Sequence, residues 1–397
     1  MHRHRIRVAA AAAACVLSIA LQPSPVRAQG QRLADGLART PPMGWNSWNK
    51  FACHVDEALI EATADAMVAS GMRDAGYRYV VIDDCWQVYR DTAGTIVADP
   101  QLFPHGMKAV ADYVHSKGLK FGIYTDAGTA TCQGRPGTFD HETQDAATYA
   151  AWGVDYVKED WCNARGLTAS TQYRKFHEAL VATGRPIVLS LCEWGSNHPW
   201  EWAAGIGHLW RTTGDIDDTW ASMLTNADLS SLHQAVAGPG GWNDPDMLEV
   251  GNGGMTDAEY RAHFSLWAVM AAPLIAGNDL RSMPAATKEI LTNRDVIAVD
   301  QDSLGVQGWV AEQPAPGLQV WVKPLAGGGR AVLLLNRTGE AAQQRVDWSA
   351  IGLVPAGRAR VRDLWLHQDV GTFAGNWATA VPSHAVVMVT VTPVAGR

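Results

Sequence analysis

Charged residues end an apolar strand in the segment 154-VDYVKEDWCN-163. Val154 and Val157 are typical of a buried strand, but folding alone gives no reason for a lysine and carboxylates to follow them. Lys158 and Asp160 stand two positions apart, so on an extended strand their side chains point to the same face. Because a neighbouring cation favours the charged form of a carboxylate, this spacing suits a nucleophile that must stay ionised.

The same feature recurs along the chain, where short apolar segments end in polar or aromatic residues. We predict eight strands, over residues 43–48, 78–86, 120–128, 154–162, 186–194, 208–216, 240–248 and 273–280. An aspartate at the end of one strand is commonly a turn residue. Seven such ends are much harder to explain by turns. We interpret them as one site, made of Trp45, Asp83, Asp84, Tyr124, Lys158, Asp160, Glu193, Arg211, Asp215, Asp246 and Met247.

Helical patterns separate these strands, at 56–77, 106–118, 141–152, 170–183, 219–236, 256–271 and 284–292. Asp56 is placed to cap the first helix. Eight alternating strand–helix units predict a (β/α)8 TIM barrel, in which active sites lie at the carboxyl ends of the strands. An open doubly wound sheet is disfavoured, because no glycine-rich phosphate loop follows the first strand.

The pattern changes near residue 304. Short alternating segments separated by turn residues follow, at 318–325, 330–337, 344–351, 359–366 and 384–393. They indicate a small antiparallel β-sandwich. We therefore predict a catalytic barrel over 29–304 and a C-terminal β-sandwich over 305–397.

The first residues are typical of an export signal. A basic stretch over 2–7 precedes an apolar run over 8–21, and residues 26–28 have a small-x-small cleavage pattern. The apolar run is too short for a convincing membrane span. We predict cleavage near Ala28 and a secreted or periplasmic protein.

Charge narrows the possible partners. Removing residues 1–28 takes away four arginines and no acidic residue, which leaves 28 basic residues against 40 acidic ones, a net charge of −12. Such a chain is a poor candidate for binding nucleic acid or an anionic membrane, and a neutral substrate is more natural. The 17 tryptophans indicate either stacking on sugar rings or unusually aromatic packing.

Six carboxylates around one opening fit three kinds of site: a divalent metal, glycoside hydrolysis by a carboxylate pair, or sugar binding without catalysis. A metal is disfavoured, because no histidine joins the set and because Lys158 and Arg211 would compete with it. We predict neither a metal nor another cofactor. Adjacent acids such as Asp83 and Asp84 suit sugar hydroxyls, which carboxylate oxygens accept well.

Five cysteines lie beyond the predicted leader, at Cys53, Cys85, Cys132, Cys162 and Cys192. Their spacing fits no zinc motif. In an oxidising compartment, one or two disulfides with one thiol left over are expected.

Six motifs give the sequence a specific resemblance: 41-PPMGWNSWN-49, 81-VIDDCW-86, 155-DYVKEDWC-162, 191-LCEW-194, 210-WRTTGDIDD-218 and 239-PGGWNDPDML-248. From about Ala38 to its C-terminus the chain resembles the family-27 glycoside hydrolases, which include α-galactosidases and α-N-acetylgalactosaminidases. The resemblance implies that Asp160 is the nucleophile and that Asp215 is the acid/base. It also implies double displacement with retention of configuration.

The acid/base must be protonated in the first step, so we expect the site to raise the pKa of Asp215. Asp217 and Asp218 follow closely, and we interpret them as turn or helix-capping residues.

The resemblance also assigns binding roles, each by the part of the sugar it touches. Asp83 and Asp84 are expected at the 4- and 6-hydroxyls, and Lys158 at the 3- and 4-hydroxyls. The remaining positions are Arg211, Asp246 and Glu193 on the 2-hydroxyl side, Trp45 and Met247 as apolar wall, and Tyr124 beside the nucleophile.

Two positions bear on which sugar is used. A relative that acts on N-acetylgalactosamine needs a small residue where this chain has Glu193, so Glu193 favours galactose. An intact Asp83–Asp84 pair favours a hexose over β-L-arabinopyranose. The leading hypothesis is an α-galactosidase that acts on α-galactosides. The alternatives are a related glycosidase acting on N-acetylgalactosamine, β-L-arabinopyranose or an α-glucan, and a catalytically silent galactose-binding protein.

The resemblance implies disulfides Cys53–Cys85 and Cys132–Cys162 and leaves Cys192 as a free buried thiol. Glu159 stands where an aromatic residue is common, and Ser196 where some relatives carry an acid. These two departures concern the leaving group rather than the chemistry.

Overall fold

The computed structural model describes residues 32–394. The predicted leader, 1–28, lies outside the described residues. The strands of the N-terminal part are β1 (Met43–Asn46), β2 (Tyr79–Ile82), β3 (Gln87–Arg90), β4 (Ile96–Ala98), β5 (Lys120–Asp126), β6 (Tyr156–Asp160), β7 (Val188–Cys192), β8 (Leu209–Arg211), β9 (Trp242–Asp244) and β10 (Leu274–Ala276).

Eight of these strands form one parallel sheet in the order β10-β1-β2-β5-β6-β7-β8-β9. They correspond one to one with the eight predicted strands, so the predicted barrel is confirmed. Each observed strand is shorter than predicted, because residues at one or both ends of each predicted segment lie outside the strand. The prediction missed the hairpin of β3 and β4, which follows β2 on the same side as the loops of the site.

The barrel closes through one residue rather than through a full ladder between β9 and β10. Leu248 pairs with Ala276. The Leu248 N–H donates to the Ile275 carbonyl at 2.8 Å, and the Leu248 carbonyl accepts from the Gly277 N–H at 3.0 Å. This closing seam lies beside the loop that follows β9.

The helices are α1 (Trp48–Phe51), α2 (Glu57–Ala69), α3 (Met72–Ala75), α4 (Gly106–Ser116), α5 (Glu142–Trp152), α6 (Ala169–Ala182), α7 (Trp220–Ser231), α8 (Asp257–Met270), α9 (Ala285–Leu291) and α10 (Arg294–Asp300). Asp56 caps α2 as predicted, because its carboxylate accepts from the Leu59 N–H at 2.7 Å. The prediction missed α10. None of the described helices is long and apolar enough to span a membrane.

Buried tryptophans explain much of the unusual composition. Seven indoles are fully buried, at Trp45, Trp86, Trp210, Trp242, Trp267, Trp321 and Trp348. Several donate their N–H to backbone carbonyls of the strand ends: Trp86 to Tyr124 at 2.8 Å and Trp267 to Asp246 at 2.7 Å. Such an indole fills the core and fixes a loop at the same time, so for these residues aromatic packing is the correct interpretation.

The C-terminal part is an antiparallel sandwich, as predicted. Its strands are β11 (Trp309–Ala315), β12 (Leu318–Pro324), β13 (Arg330–Asn336), β14 (Ala342–Asp347), β15 (Arg358–Asp363), β16 (Gln368–Ala374), β17 (Asn376–Val381) and β18 (Ala385–Pro393). A six-stranded sheet has the order β11-β12-β13-β18-β15-β16, and β14 pairs with β17. Strands β11, β16 and β17 were not predicted; most residues of β11 and β16 are exposed or half-buried, so neither strand shows a clean apolar alternation.

The sandwich packs on α8, which joins the two parts. Every residue of α8 from Ala262 to Met270 is buried. The cluster of buried apolar residues that contains Phe264 and Trp267 also contains Trp321 and Leu333 of the sandwich. The two parts therefore share this cluster, and the sandwich has a second cluster of its own that includes Trp348 and Val389.

A shared core predicts one cooperative unfolding transition. Leu333→Ala removes a fully buried side chain from the common cluster, and we expect it to lower the free energy of unfolding by about 2–5 kcal/mol. Calorimetry should show a single transition at a lower temperature. The matched control is Leu366→Ala, at an exposed leucine of the same part, which should barely shift it. A variant in which the barrel melts unchanged while the sandwich melts early would contradict the shared core.

Candidate active site

Nine of the predicted site residues line one cavity of about 600 Å³ at the carboxyl ends of the barrel strands. They are Asp83, Asp84, Tyr124, Lys158, Asp160, Arg211, Asp215, Asp246 and Met247. Trp45 and Glu193 are not among the lining residues. The barrel thus brings together side chains that are up to 164 positions apart in the sequence.

Asp160 ends β6 at the base of the cavity and is almost fully buried. Its carboxylate accepts from the Tyr124 hydroxyl at 2.9 Å and from the Trp161 N–H at 2.9 Å. Burial raises the pKa of Asp160 to about 6, although Lys158 and both hydrogen-bond donors favour the charged form. Asp160 is therefore a carboxylate that titrates in the mildly acidic range.

Lys158 contacts Asp83 directly and interacts with Asp160 through its charge. Its ammonium donates to Asp83 Oδ2 at 2.8 Å, and it lies over the Tyr124 ring at 5.3 Å from the centroid. Burial disfavours this charge, but Asp83 and Asp160 hold the pKa of Lys158 well above its usual value. Lys158 is thus a fixed positive charge inside the cavity.

Asp83 and Asp84 are oriented by groups from three loops. Asp83 Oδ2 also accepts from the Asn46 side chain at 2.7 Å. Asp84 accepts from the Cys85 N–H at 2.6 Å and from the Gln133 N–H at 3.1 Å. Burial raises the pKa of Asp84. Both carboxylates line the cavity, so they are placed to accept from a polyhydroxylated ligand.

Arg211 organises the opposite wall. Its guanidinium is buried, donates to Asp215 Oδ1 at 2.9 Å and forms an ion pair with Asp246 Oδ1 at 3.0 Å. Asp246 is held from its other oxygen by the Ile216 N–H at 2.8 Å. This arrangement fixes Asp246 firmly and leaves the Asp215 side chain 69% exposed to the cavity.

The structure contradicts the expectation that the site raises the pKa of Asp215. Although desolvation opposes its charge, Arg211 and Lys158 lower the pKa of Asp215. The sequence showed an acid near an arginine, but it did not show that the guanidinium would contact the carboxylate directly. With the cavity open to water, Asp215 is therefore the more acidic of the two central carboxyl groups.

Trp45 and Glu193 are corrected by the structure. Trp45 lies within β1, where its indole is fully buried and donates to the Asn278 carbonyl at 2.8 Å. The tryptophan at the cavity is Trp48, which α1 turns inward immediately after the strand.

Glu193 is fully buried behind the loop that follows β7. One of its oxygens accepts from the backbone N–H of Asn197 at 2.5 Å and from the Asn197 side chain at 2.7 Å. Trp194, in the left-handed backbone region, lines the cavity instead. A turn begins directly after Cys192, so the alternation of the strand no longer decides which side chain faces inward.

Sequence reasoning also missed a polar rim. The remaining lining residues are Trp48, Asn49, Lys50, Ala52, Cys132, Trp194, Ile216, Asp217, Asp218, Glu249 and Asn252. Several of these residues lie inside or directly beside the six motifs, and that position was the only signal by which the sequence could have indicated them. Asp218 is not a helix cap: Thr219 caps α7, and Asp218 accepts from the Gly254 N–H at 2.6 Å and from the Tyr260 hydroxyl at 2.9 Å.

Two disulfides brace these loops, Cys53–Cys85 and Cys132–Cys162, in the pairing that the resemblance implies. Cys192 is a free, buried thiol. Cys132 and Cys162 lie close to Asp126 and Asp160. Because both sulfurs are bonded to each other, they offer no thiolate to a metal ion.

Asp126 supports the loop that follows Asp160. It is fully buried and accepts from the Gly128 N–H at 2.7 Å and from the Cys162 N–H at 2.8 Å. Burial and the nearby Asp160 raise the pKa of Asp126 to about 8. Burial likewise raises the pKa of Glu193 and of Glu249 to about 7. The site therefore retains several protons at weakly acidic pH.

The sequence was then compared with known proteins. Residues 40–302 match the family described as Alpha galactosidase A, and residues 315–391 match the family described as Alpha galactosidase C-terminal beta sandwich domain. The chain belongs to the α-galactosidase family. The family resemblance predicted from the motifs is thereby confirmed, and the protein is a glycoside hydrolase.

Individual members of the α-galactosidase family are similar over nearly the whole chain. An α-galactosidase of Oryza sativa subsp. japonica is 52% identical over 369 residues, 92% of this chain and 88% of that protein. The crystal structure of α-galactosidase I from Mortierella vinacea has a TM-score of 0.88 at 39% identity and covers 90% and 98% of the two chains. The structure of α-galactosidase from Saccharomyces cerevisiae with raffinose has a TM-score of 0.87 at 31% identity, over 90% and 99%.

The buried acids predict a stability that depends on pH. A carboxyl group whose pKa is raised by folding stabilises the native state near its unfolded pKa, and this contribution is lost as the pH rises through its folded pKa. We expect the free energy of unfolding to fall between pH 5 and pH 8. In Asp126→Asn the dependence over this window should be shallower, as measured by denaturant titration at several pH values. Asp112→Asn, on the exposed face of α4, should keep the wild-type slope. If Asp126→Asn also kept the wild-type slope, Asp126 would not be a source of the pH dependence.

Proposed function

We propose that the protein is a retaining exo-α-galactosidase, which removes terminal α-linked galactose from oligosaccharides or polysaccharides by double displacement. The observation that carries this proposal is the pair of carboxyl groups in one cavity: Asp160, buried beside Lys158 and Tyr124, and Asp215, exposed beside Arg211. Two carboxyl groups in unlike environments are what glycoside hydrolysis requires. The similarity to α-galactosidases supports galactose as the sugar.

Asp160 is the nucleophile in this proposal. Its carboxylate attacks the anomeric carbon, and the bond to the leaving oxygen breaks as that oxygen takes a proton from Asp215. The Tyr124 hydroxyl and the Trp161 N–H hold the carboxylate from two sides, so its orientation is fixed before the substrate enters. Lys158 keeps it charged despite its burial.

Asp215 is the acid/base. A bound galactoside covers its exposed carboxyl group and removes water from it, and desolvation then raises its pKa toward the value that a general acid needs. After the galactosyl-enzyme has formed, Asp160 no longer carries a negative charge. Asp215 then takes a proton from water, the water oxygen bonds to the anomeric carbon, and the ester to Asp160 breaks. The product is α-galactose, and a retaining pair should lie roughly 5–5.5 Å apart.

Galactose is recognised by the acids on the other wall. Asp83 and Asp84 accept from the 4- and 6-hydroxyls, while Lys158 donates to the 3- and 4-hydroxyls. Arg211 and Asp246 bound the 2-hydroxyl side. Because Glu193 does not line the cavity, we attribute the preference for galactose over N-acetylgalactosamine to the space beside Arg211 and Asp246.

Export is part of the proposal. The leader over 1–28 has the pattern of a signal for secretion, and two disulfides brace the site. Disulfides persist in oxidising compartments. We therefore place the enzyme outside the cytoplasm, acting on α-galactosides of the kind represented by raffinose, with which a yeast relative was crystallised.

Turnover of p-nitrophenyl α-galactoside, followed by NMR, tests the function. We expect release of galactose as the α anomer before mutarotation. Parallel reactions with the α-N-acetylgalactosaminide and the β-L-arabinopyranoside should be slower. Initial release of the β anomer would refute retention, and preference for either other sugar would refute the assignment to galactose.

Azide separates the roles of the two acids. In Asp215→Ala, azide needs no general base and should restore turnover of p-nitrophenyl α-galactoside, giving α-galactosyl azide. In Asp160→Ala, azide can occupy the vacated space and should give β-galactosyl azide by a single displacement. Asp160→Asn should lower kcat by roughly 10³-fold or more. Asp217→Ala, which changes the neighbouring acid, is the control. If azide restored turnover of this variant instead of Asp215→Ala, Asp217 would be the acid/base.

Tyr124→Phe tests the control of the nucleophile. Without the hydroxyl donor at 2.9 Å, the charged form of Asp160 loses a stabilising contact, so its pKa rises above the native value of about 6. Because the nucleophile must be ionised, the acidic limb of kcat/KM should move to higher pH. Tyr113→Phe, on the exposed face of α4, is the control. An unshifted limb in Tyr124→Phe would exclude this coupling.

A further inference from the structure

Glu249 is a buried acid that the proposed mechanism does not use. It directly follows Leu248, the residue that closes the barrel between β9 and β10. Glu249 is only 4% exposed, yet it lines the cavity. A carboxylate buried at a seam needs hydrogen-bond partners, and these partners reveal what it holds.

The partners of Glu249 are two asparagine side chains on different loops. One carboxylate oxygen accepts from the Asn49 amide, in α1 after the first strand. The other oxygen accepts from the Asn252 amide at 2.5 Å, in the loop after β9. Glu249 therefore ties together two loops that come from opposite ends of the barrel sequence.

The backbone fixes Glu249 itself in place. Its N–H donates to His263 Nε2 of α8 at 3.1 Å, and Leu248 is held by one hydrogen bond to Ile275 in β10 and one to Gly277 directly after it. The loop that carries Asn252 has glycines with positive φ at 251 and 253 and is held by Tyr260, whose hydroxyl accepts from the Gly253 N–H at 2.6 Å. A rigid carboxylate thus sets the positions of both amides.

Asn49 keeps hydrogen-bonding capacity for a ligand, whereas the Asn252 amide donates to Glu249 at 2.5 Å and to the Gly277 carbonyl at 3.4 Å, and its Oδ1 is buried. A primary amide has two N–H donors and one acceptor oxygen. Asn49 spends one donor on Glu249, and no other side-chain hydrogen bond of Asn49 is present within residues 32–394. Asn49, Asn252 and Glu249 line the same cavity as Asp160 and Asp215.

The size of the cavity leaves room for a second ring. About 600 Å³ lies in the range of about 300–1,000 Å³ that holds drug-sized ligands, and one hexose fills only part of it. The inner part is lined by the acids and cations assigned to galactose. At the rim, Asn49 adds an amide to a lining that also contains Lys50, Asp217 and Asp218, and an amide can both donate to and accept from the hydroxyl groups of a neutral sugar.

We propose that Glu249, itself braced by Asn252, is a positioning residue, which holds Asn49 so that its amide binds the sugar that leaves when galactose is cleaved off. This inference rests on the proposed galactosidase activity and adds a preference for sugar leaving groups over small aromatic ones. Glu249 acts through Asn49 and does not touch the reacting bond.

Two substrates with different leaving groups test this role. Wild type, Glu249→Ala and Asn49→Ala should be assayed with raffinose, whose leaving group is a disaccharide, and with p-nitrophenyl α-galactoside. In both variants kcat/KM for raffinose should fall about tenfold more than kcat/KM for the nitrophenyl substrate. The double variant should lose little more than either single variant, because both changes remove one interaction.

Controls separate position from folding. Glu289→Ala, at an exposed glutamate of α9, should leave the ratio of the two substrates unchanged. Glu249→Gln, which still offers one acceptor oxygen, should recover part of the loss. If Glu249→Ala unfolds, Asn49→Ala carries the test, since it should lower the ratio of raffinose to nitrophenyl activity by itself.

The outcomes distinguish the two proposals. Equal losses on both substrates, or no change in the ratio, would overturn the role of Glu249 and leave the galactosidase intact. A wild type that cleaves the nitrophenyl substrate but not raffinose would also overturn it. A wild type that cleaves neither α-galactoside would remove the proposed function and this inference together.

Discussion

Two buried cations make it possible to crowd eight acids around one cavity. Lys158 and Arg211 each contact carboxylates directly, Lys158 at Asp83 and Arg211 at Asp215 and Asp246. Without them, burial would protonate the neighbouring acids and remove the charges that the chemistry needs. Even with them, Asp160 titrates near 6 and Asp126 near 8. The positions of the cations therefore decide which acids are charged, and the rest of the site is arranged around them.

The barrel supplies the rigidity that this balance requires. Lys158 and Asp160 lie on one strand, and the neighbouring strand carries Tyr124 in register with Lys158. Buried indoles fix the loops beyond the strands, and two disulfides join loops that follow adjacent strands. A displaced loop would move a carboxylate relative to a cation and change its pKa. Catalytic geometry and protonation state are thus controlled by the same contacts.

The sequence predicted the barrel and the sandwich, and nine of its eleven predicted site residues line the cavity, because strand alternation and the family motifs extend to the strand ends. The prediction failed where the chain leaves the strand. Trp194 directly follows Glu193, and Trp48 lies three positions after Trp45; a turn after Cys192 and a helical turn at Trp48 decide which side chain faces inward. The sequence also could not predict the Arg211–Asp215 contact, because it shows which residues are close along the chain but not the distances between their side chains. Strand β16 was missed because its burial does not alternate.

The position of α8 has a consequence for how the protein is made. The helix is buried from Ala262 to Met270, and part of its cover comes from β12, β13 and β18 of the sandwich. Those strands are the last to emerge. At about 5–20 residues per second, the segment 309–393 takes on the order of 10 s to synthesise. During that interval a completed barrel presents an uncovered apolar helix to its surroundings. A chaperone that binds nascent chains would find its most favourable target there, and slow or interrupted translation of the sandwich would favour aggregation of an otherwise finished barrel.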